Sequence, residues 1–168
     1  MASGNGWTSR AVLITGCSSG IGWATAERLA KGGWTVYATA RDVEALAPLE
    51  ERGCRLLPLD VTDEGSMRRA VEEVERAEGA VGVLLNNAGF EAGVARTTRE
   101  NYERGPLARL GGGPEAVAET IEHAISVARP RTRYAVTLSA KLLISARRIL
   151  PDRVWDVLLR YFYPQPGV

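Results

Sequence analysis

A glycine-rich segment at residues 15–22 constrains the fold of this chain most. It follows Ala11–Ile14, a short apolar run that predicts a buried strand, and it precedes residues 24–31, which predict a helix. A strand that passes through a glycine loop into a helix brings unpaired amides and partial positive charge to that loop. The segment therefore predicts a site for a phosphate group.

Each glycine of this segment has a separate predicted role. Gly16 permits the sharp turn out of the strand, and Gly20 lets a pyrophosphate come close to the backbone. Gly22 allows the helix to pack tightly on the sheet, while Ser18 and Ser19 add hydroxyl donors. Glycines also end strands for structural reasons alone, so this loop needs a second motif beside it to indicate a nucleotide.

Strands and helices alternate through the first half of the chain. After the first strand and helix, strands are predicted at 34–39, 55–59 and 81–85, and helices near 43–50 and 63–78. Strands separated by helices pair in parallel through right-handed crossovers. The prediction is an α/β fold with a doubly wound parallel sheet of the Rossmann type. The strand at 81–85 has no polar alternation, so both of its faces are expected to be buried.

The second half predicts a fifth strand. Residues 91–113 are mostly irregular, and Pro114 is well placed to start a helix with an apolar stripe. That stripe comprises Val117, Ile121, Ala124, Ile125 and Ala128. Residues 134–138 then predict a strand, expected to pair in parallel with 81–85 and to give the order 3-2-1-4-5. Two helices are predicted near 140–150 and 152–163.

One domain is expected over residues 1–168, a length that suits a single hydrophobic core. It divides into a nucleotide-binding half at 1–90, an irregular join at 91–113 and a helix-strand-helix remnant at 114–168.

Further polar motifs end the third and fourth strands at the same predicted edge, where such sheets bind ligands: Asp60-Val61 and Asn86-Asn87-Ala88-Gly89. The pattern Thr-Gly-x-x-x-Gly-x-Gly followed by Asn-Asn-Ala-Gly resembles the short-chain dehydrogenase/reductase family, particularly its steroid and retinol dehydrogenases. The resemblance implies a bound nicotinamide dinucleotide and NAD(P)-dependent hydride transfer between alcohols and ketones. It implies that Gly16, Ser18, Ser19, Gly20, Ile21 and Gly22 line the cofactor phosphates and ribose, Asp60 and Val61 the adenine, and Asn87, Ala88 and Gly89 the adenosine ribose.

Arg41 at the tip of the second strand indicates which dinucleotide is preferred. A guanidinium there can pair with the 2′-phosphate of NADP, whereas a carboxylate would accept from the 2′-hydroxyl of NAD. The expected cofactor is NADP, with NAD possible. Asp42 leaves an alternative open, since it could pair with Arg41 or take the acceptor role itself.

The family's catalytic residues are missing. Members use a serine, and a tyrosine four residues before a lysine, to hold and transfer the proton at the substrate oxygen. The only lysines here are Lys31 and Lys141, preceded at four by Glu27 and Thr137. No catalytic residue is therefore assigned. From about residue 95 the chain resembles the family's C-terminal portion. The resemblance thus implies an internal gap near 90–96 that removes the catalytic segment and the helices of the family's dimer.

Three functional hypotheses follow. The first is a protein that binds NADP(H) but transfers hydride poorly. The second is a working reductase with substitute groups such as Ser139 or Tyr102. The third is a non-enzymatic or vestigial product that binds cofactor weakly or not at all.

Charge and composition limit the binding partners and the cellular compartment that are expected for this chain. A net charge of +1 gives no overall field for nucleic acid or anionic membrane, although Arg129, Arg131 and Arg133 cluster around a turn and are expected to be solvated. Two cysteines cannot form a disulfide framework, which predicts a cytoplasmic protein. The single His123 has no partner at ligand spacing, so no metal site is expected. No apolar run is long enough to span a bilayer.

Overall fold

The computed structural model describes residues 8–89 and 112–162, with side chains up to residue 157. These residues fall into two compact units. The first contains the chain up to Gly89 together with Pro114–Thr132, and the second contains, of the described residues, 112–113 and 133–162.

The first unit is built on a sheet of four parallel strands in the order β3-β2-β1-β4. The strands are β1 (Ala11–Ile14), β2 (Thr35–Ala40), β3 (Arg55–Pro58) and β4 (Val83–Leu85). Strand β1 is central, with Val12 opposite Val36 on one side and Val83 on the other. The predicted parallel α/β sheet is confirmed for these four strands.

Helices cover both faces of this sheet. They are α1 (Gly20–Lys31), the short α2 (Ala47–Glu50) after a 3-10 turn at Glu44–Leu46, and α3 (Glu64–Glu78). On one face the valines of β1 and β2 pack with Leu29 of α1; on the other, Leu13 and Tyr37 pack with Val74 of α3. Apolar residues on both sides of β1 and β2 explain why these strands read as continuous apolar runs.

Helix α4 (Pro114–Ser126) begins at the proline that the sequence indicated. It packs along α1, where Glu122 accepts a hydrogen bond of 2.6 Å from Arg28 Nε. Of the predicted stripe only Ile125 is buried, with 9% of it exposed, in the cluster that contains Trp34, and Ala118 is buried beside the stripe. The face turned inward is thus the one that meets α1.

The predicted fifth strand is wrong. Residues 134–137 have no strand structure, and Leu138 starts helix α5 (Leu138–Ile149). The physical reason is local: Thr137 is the N-cap of α5, and its hydroxyl accepts from the Ala140 amide at 3.1 Å. Within the described residues, β4 pairs only with β1, so the sheet has four strands there instead of five.

Strand β4 is also not buried on both faces as predicted. Val83 and Leu85 pack against the α1 side, but Leu84, which alternates to the other face, is 53% exposed. The helix on that face, α3, packs over β1 and β3.

The second unit contains α5 and α6 (Asp152–Phe162), joined at Pro151. The Pro151 carbonyl accepts from the amides of Val154 and Trp155 and so starts α6. Arg147 of α5 pairs with Asp152 at 2.7 Å and lies over the ring of Trp155, 5.7 Å from its centroid. This side chain holds the corner between the two helices.

Over the ranges 8–89 and 112–162, no helix has the length and apolar character to cross a membrane. The same ranges hold no cluster of three or more histidine, cysteine, aspartate or glutamate side chains that could bind a metal ion.

Candidate functional site

The carboxyl ends of the four parallel strands meet at one edge of the sheet. The loops that leave β1, β2, β3 and β4 therefore share this edge, and all twelve residues predicted to contact the dinucleotide lie in these loops or in the first turn of α1. From β1 the chain adds β2 and β3 on one side of the sheet and then β4 on the other side of β1. Doubly wound sheets have their ligand crevice at this change of direction, beside the end of β1.

The glycines of the β1–α1 loop are required by contacts and by backbone conformation. Gly16 has φ +72°, and a Cβ added to it would lie 2.8 Å from Ala88 Cα. Gly20 has φ +62° and open space around it, so its backbone can be approached closely. A Cβ on Gly22 would overlap the Gly16 carbonyl oxygen and lie 2.5 Å from Asn87 Nδ2.

Asn87 ties the loop after β4 to the glycine loop. Its side-chain amide donates to the carbonyl oxygens of Thr15 at 3.1 Å and Gly16 at 3.0 Å. In return, the buried Thr15 hydroxyl accepts from the backbone amides of Asn87 and Ala88, both at 3.0 Å. Both donors of the Asn87 amide are thus engaged by the loop, while Ala88 and Gly89 are exposed at the same edge.

The N-terminus of α1 is open toward this edge. Ser19 is its N-cap, yet no side chain caps the helix there, and its first turn contains no acidic residue. Ser18, Ser19, Gly20 and Ile21 are exposed, whereas Gly22 is buried. The first amides of α1, together with the helix dipole, can therefore receive an anion such as a phosphate group.

A charged group stands at the tip of β2, next to the end of β3. Arg41 is exposed, whereas the Asp42 carboxylate accepts from the Glu44 amide at 3.0 Å and so faces its own turn. Asp60 accepts from the amide and hydroxyl of Thr62, at 2.9 and 2.8 Å. These bonds hold the pKa of Asp60 below its ordinary value, with a smaller contribution from the positive charge of Arg41. Val61 beside it is 43% exposed.

Two threonines shape the site although the sequence analysis assigned them no role. Thr15 receives the two amides described above, and the Thr39 hydroxyl donates to the Ile14 carbonyl at 2.9 Å. The Cys17 amide donates to the Thr39 carbonyl at 2.8 Å, which ties the glycine loop to β2. Both threonines are buried at the ends of apolar strands, and that position of a polar, β-branched residue is the signal that could have identified them.

Of the two groups considered as catalytic substitutes, only Ser139 lies within the described residues. The Tyr37 hydroxyl accepts from Arg55 at 2.5 Å and donates to Glu78 at 3.2 Å, within a cluster between β2, β3 and the end of α3. Ser139 belongs to the second unit, is buried and shares a hydrogen bond of 2.8 Å with Thr137. Tyr102 lies outside the described residues.

Comparison with known proteins matches the first part of the chain. The family model for short chain dehydrogenases matches residues 10–105. The NADPH-dependent 1-acyldihydroxyacetone phosphate reductase of Schizosaccharomyces pombe is 49% identical over 80 residues, which are 46% of this chain and 27% of that protein. The 3-oxoacyl-[acyl-carrier-protein] reductase MabA of Mycobacterium tuberculosis is 40% identical over 108 residues, 63% of this chain and 42% of the relative. The chain thus spans less than half the length of either relative.

Among solved structures, a metagenomic short-chain oxidoreductase in complex with NADP matches part of this chain. It is 29% identical, with a TM-score of 0.47, over 66% of this chain and 48% of the other.

Proposed function

This chain belongs to the short-chain dehydrogenase family, and on that premise we propose that it binds NADP(H) at the carboxyl edge of its sheet. The observation that carries the proposal is the close contact of Asn87 and Gly22 with the Gly16 carbonyl group. Asn87 donates a hydrogen bond to this carbonyl oxygen, and Gly22 lies so near it that a side chain would overlap it. This contact holds the glycine loop so that the uncapped N-terminus of α1 stays open to an anion. A purely structural role would explain the small residues at positions 16 and 22. It would not explain why the N-terminus of α1 has no side-chain cap.

The residues at this edge suit different parts of the dinucleotide. The first turn of α1 would hold the pyrophosphate, and the Asp60-Val61 turn the adenine. Arg41 would pair with the 2′-phosphate, because the carboxylate of Asp42 is already engaged with the Glu44 amide. The exposed backbone of Ala88 and Gly89 would lie against the ribose. The NADPH dependence in the name of the Schizosaccharomyces pombe reductase supports NADP(H) over NAD(H).

We further propose that hydride transfer by this chain is impaired. The nicotinamide would supply or accept a hydride, but an alcohol or ketone also needs a group that moves the proton at its oxygen. No tyrosine of this sequence stands four residues before a lysine. Loss of general acid-base catalysis costs about 10²–10⁴ in rate. The proposed internal gap, near residues 90–96, lies outside the described residues.

Titration of the purified chain with NADPH and NADH, followed by nicotinamide fluorescence, tests cofactor binding. We expect NADPH to bind about tenfold more tightly or better, because a charge-assisted contact is worth on the order of 1.5–3 kcal/mol. Arg41→Ala should abolish this preference. Arg76→Ala, which removes an exposed arginine near the far end of α3, is the matched control and should leave it intact. Equal affinity for the two cofactors in the unmodified chain would reject the role of Arg41.

Turnover is tested separately, with NADPH consumption measured on steroid, retinoid and small ketone substrates. The expected result is saturable NADPH binding with no measurable consumption. Reduction at ordinary enzyme rates would show that another group supplies the proton, and the proposed impairment would then be wrong.

A second candidate, a vestigial product without cofactor binding, is favoured by one observation. Leu84 is 53% exposed on β4, a strand with a single partner among the described residues. An uncovered apolar strand is prone to edge-to-edge association. Light scattering that shows large assemblies, together with no saturable NADPH titration, would favour this alternative over cofactor binding.

A further inference from the structure

The charges of this chain are unevenly distributed along it. Residues 129–168 contain eight basic and two acidic side chains, a net charge of +6, whereas residues 1–128 contain thirteen basic and eighteen acidic ones, a net charge of −5. The overall charge of +1 conceals this separation. The second unit and the turn that leads into it are therefore strongly basic, and this region has no part in the proposed nucleotide site.

Helix α5 combines this charge with an exposed apolar stripe. Leu138, Leu142 and Ile149 follow one another at spacings of four and seven residues, which places them on one face of the helix. They are 56%, 53% and 81% exposed. Lys141 and Arg148, each one position before an apolar residue of the stripe, are also exposed and lie along its border. The helix thus presents an apolar face with cations along one border.

Helix α6 adds exposed apolar side chains, and its described polar residues are Asp152, Arg153 and Asp156. Val154 and Val157 lie three residues apart, and so on one face, and are 48% and 68% exposed. Arg147 fixes the corner between α5 and α6 through its ion pair with Asp152 and its contact with the Trp155 ring. These contacts link the two helices at their corner.

We propose that this helix pair, α5 and α6, docks on an anionic lipid surface. The apolar side chains would enter the boundary between head groups and acyl chains, while Lys141 and Arg148 extend toward lipid phosphates. Neither helix is long and apolar enough to cross a bilayer, so the pair lies on the surface. A symmetric dimer through these helices would bring one basic unit against another, which like charges oppose. Nucleic acid would match the charge but not the apolar stripe.

Flotation of the full chain with lipid vesicles tests this inference. Vesicles of dioleoylphosphatidylcholine alone are compared with vesicles that contain about one third dioleoylphosphatidylglycerol. We expect binding to the anionic vesicles only, and its loss as salt rises from about 0.1 M toward 1 M, since salt screens charges. This salt dependence is measured on the unmodified chain and needs no variant.

Paired variants then separate the two contributions. Lys141→Gln with Arg148→Gln should weaken binding about 25-fold, because each basic residue near an anionic leaflet is worth about fivefold. Arg68→Gln with Arg69→Gln on α3 changes the net charge equally and should have no effect.

For the apolar part, Leu142→Ser with Ile149→Ser should weaken vesicle binding about tenfold or more. Leu84→Ser, at a similarly exposed leucine of the first unit, is the matched control and should leave binding unchanged. Circular dichroism establishes that each variant keeps its helices.

Three outcomes would overturn the inference. Equal flotation with neutral and anionic vesicles would remove the role of charge. Absence of flotation together with a dimer that Leu142→Ser and Ile149→Ser dissociate would assign the stripe to a second copy. Absence of flotation together with salt-dependent binding to duplex DNA would assign the basic surface to nucleic acid.

Discussion

Replacing Gly22 by alanine tests whether the two motifs of the site interlock as the structure has them. Gly22 is the third residue of α1 and does not have a positive φ, so an alanine backbone fits there. The added methyl group, however, would overlap the Gly16 carbonyl oxygen and lie 2.5 Å from Asn87 Nδ2. Two groups held by hydrogen bonds would have to move apart.

The expected destabilisation is about 2–4 kcal/mol. Overpacking at a well-packed site costs about 1–3 kcal/mol. Loss of the two Asn87 bonds, to Thr15 and Gly16, costs about 1 kcal/mol each. The better helix propensity of alanine offsets about 1 kcal/mol. NADPH affinity should fall as well, because the glycine loop would no longer be held against α1.

The assay is urea unfolding followed by circular dichroism, combined with NADPH titration of the folded variant. Gly32→Ala is the matched control, since it lies at the other end of α1 with φ −77°. A Cβ there would lie 2.9 Å from the end of the Glu122 side chain, which can shift, and at ordinary contact distance, 3.4 and 3.5 Å, from the carbonyl oxygens of Leu29 and Arg28, so stability should change by less than about 1 kcal/mol. If Gly22→Ala behaves like Gly32→Ala in both measurements, the steric reasoning is refuted.

Three further predictions concern the same unit. Asn87→Ala should lower the free energy of unfolding by about 2 kcal/mol through its two lost hydrogen bonds, whereas Asn86→Ala, at an exposed position, should leave the thermal midpoint unchanged. Burial raises the pKa of Cys17 to about 12 and of Cys54 to about 11, so Ellman's reagent at about pH 8 should label neither thiol until denaturant is added. Because unfolded thiols ionise first, from about pH 9, urea midpoints should fall as pH rises from there toward 11. Leu84→Ser should reduce self-association measured by light scattering, and an unchanged particle size would mean that β4 is not the contact.

Local patterns were sufficient for the strands and helices of the first unit. The apolar run at 11–14, the glycine loop after it and the stripe in α3 each depend on neighbouring residues only, and the structure has these elements where the sequence placed them. The start of α4 at Pro114 was likewise readable, because proline suits the first turn of a helix. Parallel pairing followed from the alternation of strands with helices.

The location of the candidate site was predictable for the same reason. Once the strands are parallel, the loops after each of them must share one edge, so twelve residues from distant parts of the sequence meet there. The sequence could not show that the Asn87 side chain is directed at the glycine loop, or that Thr15 receives two amides in return. Whether these residues hold NADP(H) remains a prediction for the titration.

The fifth strand marks the boundary between what sequence alone determines and what tertiary structure decides. Residues 134–138 have the composition of a strand, but a strand exists only if a partner accepts its hydrogen bonds. The hydroxyl of the N-cap Thr137 accepts from the Ala140 amide instead, and a helix begins at Leu138. The sequence also could not predict that Leu84 is exposed, because its burial depends on which helix packs over β4. Sequence by itself determined the elements whose energetics are local, and only the tertiary structure decided those that depend on distant partners.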